Sequence, residues 1–213
     1  MVIGLGRFGG AVSRTLERMG HEVLAVDIDP ALVQEFAGEL TKVVEADATD
    51  TTTLEQLGAK DFDAAVGGIG TNIEASVLIV LALSDLGLTN IWAKATNEKH
   101  ARILERTGAA HVVFPEQRMG ERVAHLINER LLDFIAFGDE FAIARLIAPE
   151  PLLGLPLVTS QCRKKYDVTV VGVKREGENF IHAVPDTIIF PGDELVVSGR
   201  TGNIEDFAAA RGD

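Results

Sequence analysis

Along residues 1–115 the apolar positions come in a repeating order: a short apolar run, a glycine or acidic turn, then a stripe at helical spacing. Residues 1–3 are apolar and run into a glycine turn, after which Val12, Leu16 and Met19 recur at helical spacing until Gly20. Residues 22–26 read as a strand closed by Asp27. Asp29-Pro30 then opens a helix with Asp as cap and Pro in the first turn, and Leu32, Val33 and Phe36 form its apolar face. The alternation continues with strand 42–46, helix 50–57, strand 64–67, helix 74–86, strand 91–95, helix 99–107 and strand 111–114. Six strands separated by five helices predict a Rossmann-type, doubly wound parallel sheet with helices on both faces. Only three residues precede Gly4, against about five or six in a usual strand, so either the first strand is short or the natural N-terminus lies upstream.

Residues 116–137 read as one long helix, since Met119, Val123, Leu126, Ile127, Leu131, Leu132 and Ile135 fall near helical spacing. Its apolar face is broader than one small sheet needs, which predicts a crossover and dimerisation helix over residues 116–138 that reaches another subunit and ends at Gly138. From residue 139 the character changes. Residues 141–148 are strand-like, 149–156 are rich in breakers, and 167–174 contain the β-forming run VTVVGV. Residues 180–184 pair with that strand after a turn at 176–178, and 194–198 form another strand after Pro191-Gly192-Asp193. With a closing helix at 203–210, residues 139–213 read as a small α+β lobe.

The turn after the first strand reads GLGRFG, which puts Gly4, Gly6 and Gly9 in G-x-G-x-x-G spacing. The first glycine allows a tight reversal, the second lets backbone approach a phosphate, and the third lets helix pack on strand. The phosphate would rest on the free N–H groups at the helix start. Asp27 follows roughly twenty residues past the turn, where a carboxylate takes ribose hydroxyls and repels a 2′-phosphate. Ligands of such sheets collect at the carboxyl ends of the strands. There the chain places Gly4, Gly6, Arg7, Phe8 and Gly9 after the first strand, Asp27, Ile28 and Asp29 after the second, and Asp47 and Ala48 after the third. Ile69, Gly70 and Thr71 follow the fourth, and Lys94, Ala95 and Thr96 end the fifth. Any one Asp here also reads as a cap; the convergence of the set points to a ligand.

Composition narrows the picture. Of 213 residues 46% are hydrophobic and 24% charged, which fits a folded chain. A net charge of −12 argues against a nucleic-acid polymer or an anionic membrane surface as main partner. The one cysteine, Cys162, cannot form an internal disulfide and points to a reducing compartment. Its neighbours Arg163, Lys164 and Lys165 come without a base or a resolving cysteine, so it reads as structural. The most apolar run, 77–83, is far short of the roughly twenty residues of a membrane helix. His21, His100, His111, His125 and His182 lack the paired spacing of a metal site, although His100 lies one turn beyond the fifth strand. No G-x-S-x-G, Walker A lysine or H-E-x-x-H motif is present, and the second lobe offers no group for proton transfer above a nicotinamide. Nucleotide binding without turnover fits better than an NAD(H)-dependent oxidoreductase, which stays as the alternative together with an NAD(H)-sensing protein.

The stretches VIGLGRFGGAV, MGHEVLAVDIDP, EADAT, IGTNIEAS, NIWAKATN, FPEQRMG, KYDVTVVGVKR and PGDELVVSG make the chain similar, over essentially its whole length, to the RCK (regulator of K+ conductance) subunits of Ktr and Trk potassium transporters, and most to the KtrA type. The resemblance implies a cytoplasmic regulatory subunit, assembled from dimers into an octameric ring, peripheral on the cytosolic face of a potassium-translocating membrane subunit. ATP and ADP, and in some members NADH and NAD, bind the first lobe and change the ring's shape. Position by position, phosphate contacts fall on residues 4–9, including Arg7, with Lys94 and His100 nearby. Adenosine contacts fall on Asp27, Ile28, Asp29, Asp47, Ala48 and residues 69–71. Glu116 matches a residue that helps hold a cation between ATP molecules of paired subunits. In relatives the second lobe dimerises, and in some it binds cyclic di-AMP; Arg163 lies in the region that would face it. Arg7 sets a permanent cation where a terminal phosphate would project, which favours ATP over NAD.

Overall fold

The computed structural model describes residues 1–127, 130–138 and 140–211. Two compact units follow one another, Met1–Gln117 and Arg118–Asp213.

The first unit runs β1 (Val2–Ile3), α1 (Arg7–Arg18), β2 (Leu24–Asp27), α2 (Pro30–Phe36), β3 (Lys42–Glu45), α3 (Thr51–Gln56), β4 (Ala65–Gly67), α4 (Ile73–Asp85), β5 (Ile91–Lys94), α5 (Glu98–Thr107) and β6 (His111–Val113). The sheet order is β3-β2-β1-β4-β5-β6, and every neighbouring pair is parallel. Alternate strand residues go to opposite cores. Val2, Leu5, Val23, Ala25, Phe36 and Leu40 pack with the apolar stripes of α1 and α2. Ile3, Val26 and Ile91 pack on the other side with Leu54, Ile79, Leu83 and Leu104 from α3, α4 and α5. Being covered on both faces is why these strands read as continuous apolar runs. The order of strands reverses direction between β1 and β4, the switch point at which such sheets open a crevice.

Helix α6 (Pro115–Leu126) follows β6, and after it come β7 (Leu131–Phe137), β8 (Phe141–Ile147), α7 (Leu157–Ser160), α8 (Cys162–Tyr166), β9 (Thr169–Lys174), β10 (Ile181–His182), β11 (Glu194–Arg200) and α9 (Thr201–Ala209). The second unit's sheet, β10-β9-β11-β8-β7, is antiparallel throughout. Leu131, Phe134, Leu146, Val168, Leu195, Ile204 and Phe207 form its core.

The single helix expected over residues 116–137 is corrected: the helix stops at Leu126, and Leu131–Phe137 is a strand. The register of β7 on β8 shifts between Leu131 and Asp133, so an extra residue enters the strand and the buried Leu131 and Phe134 stand three apart. A bulge of this kind imitates helical spacing in the sequence. The part of that helix on residues 128–129, and the expected boundary at residue 139, lie outside the described residues. Helices α7 and α8 were not anticipated. They are very short, and Gln161 and Asp167 flank α8 in left-handed backbone at φ 50° and 54°.

Candidate functional site

Where β1, β2 and β4 end, a cleft of about 940 Å³ opens within the first unit. Its floor is the glycine turn. Gly4 takes φ +90°, and a Cβ on Gly9 would collide with the Gly4 carbonyl oxygen, so helix α1 can sit this close to β1 only without a side chain there. Gly6 differs: apart from its neighbours along the chain, no protein atom lies within 4 Å of where its Cβ would stand, and Gly6 lines the cleft. Gly6 also occupies the N-cap of α1 and gives no side-chain cap, and the first turn holds no acidic residue. Helices α2, α3, α4 and α5 are each capped by a side chain, from Asp29, Asp50, Asn72 and Asn97. The α1 terminus therefore presents uncapped N–H donors and partial positive charge to the cleft, with the Arg7 guanidinium beside them.

The acidic residues are fixed by local hydrogen bonds. Asp27 Oδ2 accepts the backbone N–H of Leu5 at 2.5 Å, and its Oδ1 accepts that of Asp29 at 2.9 Å. Asp47 accepts both the backbone N–H and the hydroxyl of Thr49, at 2.9 and 2.7 Å, and these bonds hold its carboxyl below the usual range. Lys94, at the end of β5, reaches Glu116, the second residue of α6, at 2.5 Å. The bond from Lys94 is the main reason the Glu116 carboxyl titrates low, with Arg7 adding a smaller pull. His100 is buried behind Thr96, and burial pushes its imidazole pKa down, which favours the neutral ring. Its Nδ1 faces the Thr96 N–H at 3.4 Å.

Of the residues singled out from the sequence, Gly4, Gly6, Arg7, Phe8, Asp27, Ile28, Asp47, Ala48, Ile69, Gly70, Thr71, Lys94, Thr96 and Glu116 line this cleft. Gly9, Asp29, Ala95 and His100 do not. Gly9 is used in packing, Asp29 caps α2, and Ala95 and His100 are buried beneath the surface. The lining residues that were not foreseen include Leu32 of α2, and Glu74, Ala75 and Leu78 of α4. The signal for the last three was present, since they lie on one face at three- and four-residue spacing just after the Asn72 cap. Among the described residues no group of three or more His, Cys, Asp or Glu side chains draws together. The second unit has a smaller cleft of about 410 Å³, lined in part by Cys162, Arg163, Lys164 and Thr169.

Residues 1–115 match the TrkA-N domain and residues 141–212 the TrkA-C domain. Over 207 residues the chain is 40% identical to Ktr system potassium uptake protein A of Bacillus subtilis (strain 168), covering 97% of this chain and 93% of that protein. The chain belongs to the KtrA-type RCK family. Membership makes this RCK chain a regulatory subunit of the Ktr type and not an enzyme, so the oxidoreductase alternative is set aside. The RCK fold is also that of the GsuK channel bound to NAD, with a TM-score of 0.64 and 19% identity over 100% of this chain and 39% of that one. GsuK bound to ADP matches with a TM-score of 0.50 and 20% identity, over 59% of this chain and 33% of that one. Among the described residues no helix of this RCK chain is long and apolar enough to cross a membrane.

Proposed function

We propose that this RCK subunit senses adenine nucleotides in the cleft of its first unit and passes their state to a potassium-translocating membrane subunit on the cytosolic face. The observation that carries the reading is the uncapped start of α1, with Arg7 beside it, opening on a cleft where a Cβ on Gly6 would meet nothing beyond its chain neighbours. Anions are stabilised at such a terminus, and a guanidinium pairs with phosphate through parallel hydrogen bonds. In this reading the phosphates lie over residues 4–9 toward Arg7 and Lys94. The ribose meets Asp27, whose oxygens keep lone pairs beyond their two backbone bonds. Ile28, Ala48 and Ile69 flank the base, with Asp47 and Thr71 at its rim. The potassium-uptake name of the Bacillus subtilis relative and the NAD- and ADP-bound GsuK structures support the same assignment.

The finer parts of the reading go with it. Dimers assemble into an octameric ring, with α6 as the crossover element between subunits. Glu116 takes part in holding a cation at the phosphates, and the Arg163 cleft of the second unit takes cyclic di-AMP. If ATP and ADP favour different ring shapes, the bias available to the transporter cannot exceed the difference in their binding free energies, typically about 1 to 3 kcal/mol per site. Asp27 and the cleft volume admit NAD(H) as well, which keeps NAD(H) sensing as the second reading.

Calorimetric titration with ATP, ADP, NAD and NADH, with and without a divalent cation, alongside mass by light scattering, tests the assignment. Cation-dependent ATP binding by an octamer is expected. A dimer that prefers NADH would overturn it in favour of the second reading.

A further inference from the structure

Lys94 and Glu116 lie 22 residues apart, and their side chains meet at the mouth of the cleft. Their surroundings are unequal: the Lys94 side chain is 14% exposed and the Glu116 side chain 64%. The lysine stem runs under the loop that follows β4, where a Cβ on Gly70 would stand 3.0 Å from Lys94 Cε and 3.4 Å from Nζ. That loop leaves the ammonium little room to retreat, whereas the carboxylate can swing into water. Glu116 also feels the charge of Arg7. One carboxylate thus serves as counter-ion to the two cations that line the cleft beside the uncapped start of α1.

We propose that Glu116 competes with the ligand's terminal phosphate for Lys94, so that the charge at the end of the ligand is read as the breaking of the Lys94–Glu116 bridge. The inference rests on the nucleotide reading above. A terminal phosphate that reaches Lys94 brings a second anion to one ammonium, and the two anions repel each other across a few ångströms. The mobile one leaves. Glu116 is then an unpaired carboxylate at the head of α6, and only then is it available to a cation. A monophosphate, too short to reach Lys94, leaves the bridge closed. Cation engagement at Glu116 becomes conditional on the ligand's phosphate count, and the first turn of α6 is where the difference is felt.

The competition has a signature that a simple ligand role for Glu116 lacks. With the full chain, ATP and excess chelator, Glu116→Gln is expected to bind about tenfold tighter than the unaltered protein, and Lys94→Gln about tenfold weaker, as for loss or gain of one charge-assisted bond. In the Lys94→Gln background the Glu116→Gln gain is expected to shrink below about twofold, because the contested cation is gone. With a divalent cation present, Glu116→Gln is expected to bind ATP no tighter than the unaltered protein. Lys94→Met serves as the second variant should Lys94→Gln not fold. Weaker ATP binding by Glu116→Gln in chelator, or an equal gain in both backgrounds, would overturn the competition while leaving the nucleotide reading intact. No ATP binding by any folded variant, Glu116→Gln included, would overturn both.

Discussion

The carboxylate of Asp27 accepts the backbone N–H of Leu5 at 2.5 Å, tying the end of β2 to the glycine turn after β1. Leu5 itself is buried, so this N–H is largely shielded from water. Asp27 therefore shapes the turn as well as facing the cleft. Asp27→Ala leaves a buried donor unsatisfied, at about 1 to 3 kcal/mol, and is expected to lower thermal stability and nucleotide affinity together. Asp27→Asn keeps one carbonyl acceptor and is expected to lose less of both. Melting curves followed by titration separate the two variants; equal stability of all three proteins would show that the bond contributes nothing.

Gly6 and Gly9 share a motif and differ in their surroundings, which gives a paired test. A methyl on Gly9 runs into the Gly4 carbonyl, and Gly9→Ala is expected to destabilise by at least about 2 kcal/mol. At Gly6, φ is −59° and ψ −173°, which alanine adopts freely. Gly6→Ala is therefore expected to stay within about 0.5 kcal/mol in stability and to bind nucleotide at least about tenfold more weakly. If Gly6→Ala binds as before, the space above it is not where phosphate rests.

Arg7→Ala is expected to cost ATP about tenfold in affinity, ADP less, and AMP under about twofold. Calorimetry with the three nucleotides reads this directly. Uniform losses would place Arg7 away from the terminal phosphate.

In the second unit, the buried Asp193 carboxylate accepts from the Arg175 side chain at 2.8 and 2.9 Å and from the Phe190 backbone at 2.8 Å. The Arg175 bond, foremost, holds its pKa below the usual value, and the backbone bond adds to this. A carboxyl depressed in the folded state contributes stability that is present above its unfolded pKa, near about 3.9, and is lost as pH falls through the lower folded value. Acid unfolding of the second unit is expected to begin below about pH 4, and Asp193→Asn is expected to lower the melting temperature at pH 7 and remove this share of the acid dependence. The chain helps the measurement: its one tryptophan, Trp92, lies in the first unit and its one tyrosine, Tyr166, in the second. A tyrosine signal with the same pH profile in Asp193→Asn would refute the assignment.

The parallel sheet was legible because short, mostly apolar runs alternate with helical stripes through the first unit, and four of the six runs lead into glycine or aspartate. Positions at strand ends follow from that order alone, and so Arg7, Asp27, Asp47, Gly70 and Lys94 could be named from the sequence. What stayed hidden has physical causes. The bulge in β7 spaces Leu131 and Phe134 like a helix, and α8 is enclosed between two left-handed residues that carry no glycine signal. The Lys94–Glu116 bridge joins β5 to α6, and no local pattern announces it.

Four successive helices of the first unit are finished by their own Asp or Asn side chains, and α1 is left open. If the nucleotide proposed above supplies the missing cap, the stability of α1 becomes a matter of its concentration. The amides of Arg7 and Phe8 would exchange quickly in dilute buffer and slowly in a nucleotide-rich cytoplasm, by mass action. The lifetime of such a subunit against proteases would then rise and fall with the energy charge of its cell.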